Sequence, residues 1–294
     1  MVTALIFPGQ GTQKTGMGRK IFNESPPARA LFNLADEVLG FKISDLCFDG
    51  AKEELERTSI CQLAVFVNSL AHLEELKEQK DSPFPMDMVA GHSLGEFTAL
   101  VAAGSMDFEQ VLLLVKERAL IMEDPGTFTF RWGRMFLVKG LSETKVAKIC
   151  AVYRDKEKYV DIACINAPDQ FVISGEHWAV ESAAMMAYDA GADEPFELKT
   201  SGPFHSVLMT ESARKFIEIL QPATIHAPSV KFFSSITGEE TSDPEIIRGQ
   251  LAIQMVTPVQ WVKTIRAMAK AGATEYIELP KGFLTRLLGK KHRD

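Results

Sequence analysis

Gly91-His92-Ser93-Leu94-Gly95 sets a serine between two glycines, directly after the apolar run Met86 to Ala90 and directly before the helix-forming stretch Glu96 to Ala103. Strand, tight turn and helix is the setting in which a G-x-S-x-G serine becomes a nucleophile. The glycines let the chain reverse without Cβ clashes, so the serine sits on a strained elbow with Oγ exposed. The first helical amides, Leu94 among them, then point at an incoming carbonyl oxygen. That arrangement suits acyl transfer.

A serine needs a base, and six histidines are available: His72, His92, His177, His205, His226 and His292. His72 and His177 fall in helical patterns without loop signals, and His292 lies in a charged tail. His92 precedes the serine on the same backbone, so its side chain is expected to point away. His226 sits in a connecting segment before Pro228. His205 lies in Ser201-Gly202-Pro203-Phe204-His205-Ser206, a turn at a junction between two structural units, where clefts tend to form. It is the strongest candidate for the base.

The elements that must position these residues can be read from hydrophobic periodicity. Met1 to Phe7 reads as a first strand. Short apolar runs then alternate with helical patterns such as Leu63 to Leu76 and Phe108 to Met122, which implies crossover helices over a parallel sheet. From about Arg134 the order changes to strand (Met135 to Lys139), helix (Glu143 to Tyr153), strands Val160 to Ile165 and Gln170 to Ser174, helix (Trp178 to Ala190) and strand (Glu194 to Leu198). Asn166-Ala167-Pro168-Asp169 supplies the turn between the middle strands. This βαββαβ order predicts a ferredoxin-like unit at 127–200, inserted into a larger α/β-hydrolase-like domain made of 1–126 and 201–294. Strand Ser229 to Ser234, helices Ile246 to Gln254 and Val259 to Ala271, and strand Glu275 to Leu279 complete the larger domain.

At 294 residues and 46% hydrophobic composition, the chain can bury a sizeable core. Its net charge of −7 argues against general nucleic-acid binding. No apolar stretch is long enough to predict a membrane span, and the N-terminus lacks the features of a signal peptide, which implies a cytoplasmic protein. Cys47, Cys61, Cys150 and Cys164 have no C-x-x-C spacing and read as reduced, buried thiols rather than a disulfide or metal site.

Three segments in this order carry a family resemblance: Phe7-Pro8-Gly9-Gln10-Gly11-Thr12-Gln13, Gly91 to Phe97, and Gly202 to Ser206. Together they resemble the malonyl-CoA:acyl-carrier-protein transacylases of fatty acid and polyketide synthesis, over nearly the whole chain. Lys20-Ile21-Phe22 and Asp36 to Gly40 add a likeness to the free-standing acyltransferases that serve polyketide synthases in trans. The resemblance implies that Ser93 and His205 form a dyad, with the imidazole oriented by the backbone carbonyl of Gln254. It also implies an oxyanion hole made by the amides of Gln10 and Leu94.

Substrate choice is implied in the same way. An arginine in an amphipathic helix ordinarily lies on the solvated face, but the resemblance assigns Arg118 to the free carboxylate of a malonyl group, which a guanidinium fork suits. Gln62, Asn166 and Phe204 match further pocket positions. The implied activity is that of a malonyl-CoA:acyl-carrier-protein S-malonyltransferase working through an acyl-serine, with malonyl-CoA and a phosphopantetheinylated acyl carrier protein as partners. It requires no metal or redox cofactor, and the protein is expected to be a monomer. Arg131, Arg134, Lys281 and Arg286 are candidates for a basic surface facing the acidic carrier. The alternatives are an acyl hydrolase of the same fold and, further off, a non-catalytic docking module for carrier proteins. Departures from the family pattern fall at Phe128 to Phe136, Ala119 and Leu279 to Leu284.

Overall fold

The computed structural model describes residues 1–79, 85–123, 133–154 and 158–288. Its strands in chain order are β1 (Thr3–Phe7), β2 (Met88–Gly91), β3 (Gly133–Lys139), β4 (Val160–Ala167), β5 (Gln170–Glu176), β6 (Phe196–Glu197), β7 (Lys231–Phe233), β8 (Glu240–Thr241) and β9 (Glu275–Glu278). They form two sheets. The larger has the order β8-β7-β2-β1-β9 and the smaller β4-β5-β3-β6. The fold is α/β.

In the larger sheet β7, β2, β1 and β9 run parallel. β1 and β2 are buried on both faces, as their unbroken apolar runs Thr3–Phe7 and Met88–Gly91 require. The expectation of a wholly parallel sheet is corrected at one edge, where β8 pairs antiparallel with β7. The short loop between them can reverse because Gly238 takes φ 66°. The alternation expected before Met122 is also corrected, because the chain between β1 and β2 is helical throughout its elements. Helices Arg19–Glu24, Pro26–Leu39, Ile43–Asp49 and Lys52–Glu56 lead into the long helix Thr58–Gln79. Ser25 caps Pro26–Leu39 by accepting from the Ala28 amide, and Gly40 ends it in the left-handed conformation.

The smaller sheet follows the βαββαβ element order, and every pairing in it is antiparallel. β3 and β5 alternate strictly, while β4 shifts register between Ile162 and Cys164 and again between Ile165 and Ala167. Val138, Ile162, Phe171 and Ile173 face a small separate core shared with helices Glu143–Arg154 and His177–Asp189. Met135, Leu137, Cys164 and Val172 face the main core instead. The last strand is shorter than Glu194 to Leu198, because β6 pairs in register only with Phe136 and Leu137 of β3, at an open edge. The two sheets are stitched where Val259 lies against β4: Ile165 N–H donates to Val259 O and Val259 N–H to Ala163 O, each at 2.9 Å.

Glycines fix the closest approaches. A Cβ on Gly91 would lie 1.9 Å from the Gly95 backbone, and one on Gly95 would lie 2.1 Å from Phe7 O. A Cβ on Gly249, within helix Pro244–Ile253, would meet nothing within 4 Å. Gly91→Ala should therefore cost about 3 kcal/mol through overpacking, whereas Gly249→Ala should stabilise by about 1 kcal/mol through helix propensity. Urea denaturation midpoints of the two variants check both signs.

Candidate active site

The elbow forms where β2 meets helix Gly95–Ala102. The strain falls on the serine rather than on the glycines around it. Ser93 has φ 52°, and the only other non-glycine residue with positive φ among those described is His205, at 57°. Conformations of this kind persist only when their surroundings over-determine them. Both converge on one hydrogen bond: Ser93 Oγ lies 2.8 Å from His205 Nε2. On its other side His205 Nδ1–H donates to Gln254 O at 2.9 Å and Thr257 O at 3.1 Å, which leaves the Nε2 lone pair for the serine proton.

His205 is buried. Burial, then the nearby Arg118 and His92, push its pKa down to about 3, while the hydrogen bonds to Gln254 and Thr257 act in the opposite sense. The imidazole is thus a neutral base, and the two carbonyls at Nδ1 stabilise the cation formed when it takes a proton. His92 plays a different part. Its Nε2–H donates to Asn166 Oδ1 at 2.8 Å, and its ring meets Trp261 edge-on. Asn166 belongs to β4, so this bond ties the elbow to the smaller sheet. His72 and His177 pair with Glu75 and Glu181 on their own helices, and His292 lies outside the described residues.

Gln10, Leu94, Gln62, Arg118, Asn166, Phe204, Ser93 and His205 line a single cleft. Gln254, buried against Arg118 and Ser93, completes the set. The Gln10 side chain is anchored on Thr58 Oγ1 at 3.2 Å. The backbone N–H groups of Gln10 and Leu94 are taken up by no hydrogen bond among the described residues, so both can donate to a ligand in the cleft. The end of β1 reaches the elbow closely: a Cβ on Gly9 would lie 2.6 Å from His92 O.

Arg118 sits on helix Phe108–Glu123, only 1% exposed. The solvated-face reading of its helix is therefore wrong: the side chain is buried and lines the cleft. Nη1 donates to Gln62 Oε1 at 2.5 Å and Nη2 to Gln254 Oε1 at 2.7 Å, with Ser93 Oγ at 3.4 Å from Nη2. Nε has no partner among the described residues. Burial pushes the guanidinium pKa down to about 10, partly offset by Glu96, so it stays charged at neutral pH. All of its hydrogen-bond partners are neutral.

Two contributions were not read from the sequence. The Gln254 side chain bridges Arg118, the Ser93 carbonyl and Glu96, with Nε2 donating to Ser93 O at 3.1 Å and to Glu96 Oε2 at 2.5 Å. Glu96 itself is 1% exposed. A lone carboxylate directly before the mostly apolar stretch 97–103 was the available signal. Among the departures from the family pattern, Phe283 lines the cleft and meets His92 edge-on. Residues 128–132 lie outside the described residues.

A row of paired residues crosses the smaller sheet: Phe196 opposes Leu137, Leu137 opposes Val172, and Val172 opposes Cys164. The last three line the cleft, and Phe196, on the edge strand of the sheet, is 61% exposed. Of the basic candidates, Arg134 is neutralised by a two-pronged bond to Glu197 at 2.8 and 2.9 Å. Arg131 lies outside the described residues. Cys47, Cys61, Cys150 and Cys164 are all free and buried, and burial pushes each thiol up to about 12. Among the described residues no group of acidic, histidine or cysteine side chains is placed to hold a metal, and no helix is long and apolar enough to cross a membrane.

A half-buried serine hydrogen-bonded to a buried histidine on a strand-to-helix elbow, with free amides beside it, defines an acyl-transferring site. The chain belongs to the acyl transferase domain family, whose pattern matches residues 4–285. It is an acyltransferase. It is 35% identical to the malonyl CoA-acyl carrier protein transacylase of Bacillus subtilis, across 98% of this chain and 89% of that protein. To the same organism's polyketide biosynthesis malonyl CoA-acyl carrier protein transacylase PksC it is 36% identical, across 98% and 96%. The acyl-carrier-protein S-malonyltransferase of Burkholderia pseudomallei matches its fold with a TM-score of 0.93 at 33% identity, covering 99% of this chain and 93% of that one.

The lowered His205 pKa has a measurable consequence. The acylation rate should stay level as pH falls from about 8 to about 5.5, without the inflection near 6.5 of an ordinary imidazole. An inflection near 6.5 in pre-steady-state acylation would contradict a buried neutral base. The folded protein binds fewer protons than the unfolded chain below that pH. The stability tied to His205 is therefore complete above pH about 6.5 and is lost as pH falls towards about 3.

Proposed function

We propose that this acyltransferase moves a malonyl group from CoA to the phosphopantetheine thiol of an acyl carrier protein, through an ester on Ser93. The observation that carries this reading is Arg118: a buried, charged guanidinium beside the nucleophile with only neutral partners suits an acyl group that brings its own carboxylate. The names of the relatives support the same substrate and carrier.

In this reading His205 Nε2 takes the Ser93 proton as Oγ attacks the thioester carbonyl. The Gln10 and Leu94 amides receive the developing oxyanion, the C–S bond breaks, and the proton passes from His205 to the departing CoA thiolate. The carrier thiol then gives its proton to His205 and attacks the ester carbonyl; the C–O bond breaks, and the proton passes from His205 back to Ser93 Oγ. Gln62 and Gln254 hold the Arg118 fork, and Asn166 and Phe204 shape the pocket wall. One thioester replaces another, so this chemistry calls on no metal or redox cofactor.

The site divides a catalytic unit, 1–126 and 201–294, from an inserted unit, 127–200. We read the latter as ferredoxin-like on the strength of its element order, sheet order and separate core. Lys281 and Arg286, on the segment that also supplies Phe283, have no acidic partner among the described residues and remain the candidates for a carrier-facing surface.

Intact-mass measurement after mixing with malonyl-CoA tests the proposal. Wild type should gain one malonyl group and pass it to carrier protein, and Ser93→Ala should gain none. Arg118→Ala should slow malonyl loading roughly 100-fold, corresponding to about 3 kcal/mol from lost charge-assisted hydrogen bonds, while acetyl loading changes little. Equal losses for both acyl groups would assign Arg118 a purely structural role.

A further inference from the structure

Glu96 lies one side chain beyond Arg118, and the two never touch. Between them stands the Gln254 amide, whose Oε1 accepts from Arg118 Nη2 at 2.7 Å and whose Nε2 donates to Glu96 Oε2 at 2.5 Å. On its far side the carboxylate accepts from the Ser235 backbone N–H at 3.0 Å and the Ser235 hydroxyl at 2.8 Å, in the loop that follows β7. Glu96, Gln254 and Ser235 are all buried. The chain of bonds therefore runs in one direction, from a group that can only donate to a group that can only accept.

Two consequences follow. A carboxylate bound directly to the guanidinium would occupy the donors that a substrate carboxylate needs, whereas a neutral amide between the charges leaves the Arg118 fork open. The acceptor-only Glu96 also sets the sense of the Gln254 amide. Turned over, that amide would present Nε2 to Arg118 and Oε1 to both Glu96 and the Ser93 carbonyl, which places like against like at three contacts.

We propose that Glu96 is a positioning residue for recognition of a carboxylated acyl group: acting through Gln254, it holds Arg118 in place and counterbalances its charge without capping it. This rests on the function proposed above and adds to it a residue that never meets the substrate. Burial raises the Glu96 pKa, and the hydrogen bonds from Gln254, Ser235 and Ser234 counter it only in part; the acceptor role rests on the donors ranged against both carboxylate oxygens.

Glu96→Gln tests the proposal because it keeps shape and removes the acceptor-only character. Whichever way a glutamine is turned at this position, one amide N–H faces a donor, either Gln254 Nε2 or the Ser235 backbone. The measurement is competition between equal malonyl-CoA and acetyl-CoA for Ser93, read by intact mass. The malonyl-to-acetyl ratio is independent of how much protein is folded, so partial loss of the variant does not obscure it. The ratio should fall about ten-fold in Glu96→Gln, and restoring glutamate in a revertant should restore it. A ratio within three-fold of wild type, or a rise, would overturn the role of Glu96 even if total loading fell. A wild-type protein with no preference for malonyl would instead overturn the function on which this inference rests, and the inference with it.

Discussion

A charged guanidinium buried beside the nucleophile sets the terms for its surroundings. Taking Arg118 out of water is costly unless its donors are met and its charge is offset. The protein meets two of the donors with neutral amide oxygens, from Gln62 and Gln254, and places the offsetting carboxylate one residue further away. The same cation helps to hold His205 neutral. One buried charge thus serves recognition and base chemistry together. Gln254 joins the two, because its side chain meets Arg118 while its backbone carbonyl orients His205.

The rest of the fold assembles this arrangement from distant segments. β1 brings Gln10 to the elbow, and the helix after β2 carries Glu96 back towards the loop after β7. The turn at 201–206 returns the chain from the smaller sheet with His205 at its end. Glycines at 91 and 95 permit the backbone crossings, while the unfavourable φ values are taken by Ser93 and His205 themselves. The Val259 bridge to β4 and the His92 bond to Asn166 fix the smaller sheet against the elbow. Residues that face its inner side, Leu137, Val172 and Cys164, therefore form a settled wall of the cleft.

Legibility in the sequence followed the range of the interactions. The elbow is local, so a strand pattern, two glycines and a helix pattern sufficed to single out Ser93. The six elements of the smaller sheet were legible because each shows clean periodicity, and only β6, paired with β3 through just two residues, came out shorter. His205 was separable by its junction turn. Arg118 and Gln62 could not be placed from periodicity, since a buried arginine in a helix looks like an exposed one until its partners are known. Glu96 and the Gln254 side chain were missed for a similar reason: their bond spans 158 residues. The Glu96 to Ser235 bond spans 139, beyond the reach of any local pattern.

The central claim is that this buried cluster keeps His205 neutral, with its proton on Nδ1 and its lone pair towards Ser93. Nitrogen-15 NMR of histidine-labelled protein reads this directly. The account predicts one imidazole with a protonated Nδ1 and a bare Nε2 whose shifts hold steady from pH about 8 down to about 5, and that signal should be the one lost in His205→Ala. If the His205 signal titrates near 6.5, or shows the opposite tautomer, the account is contradicted.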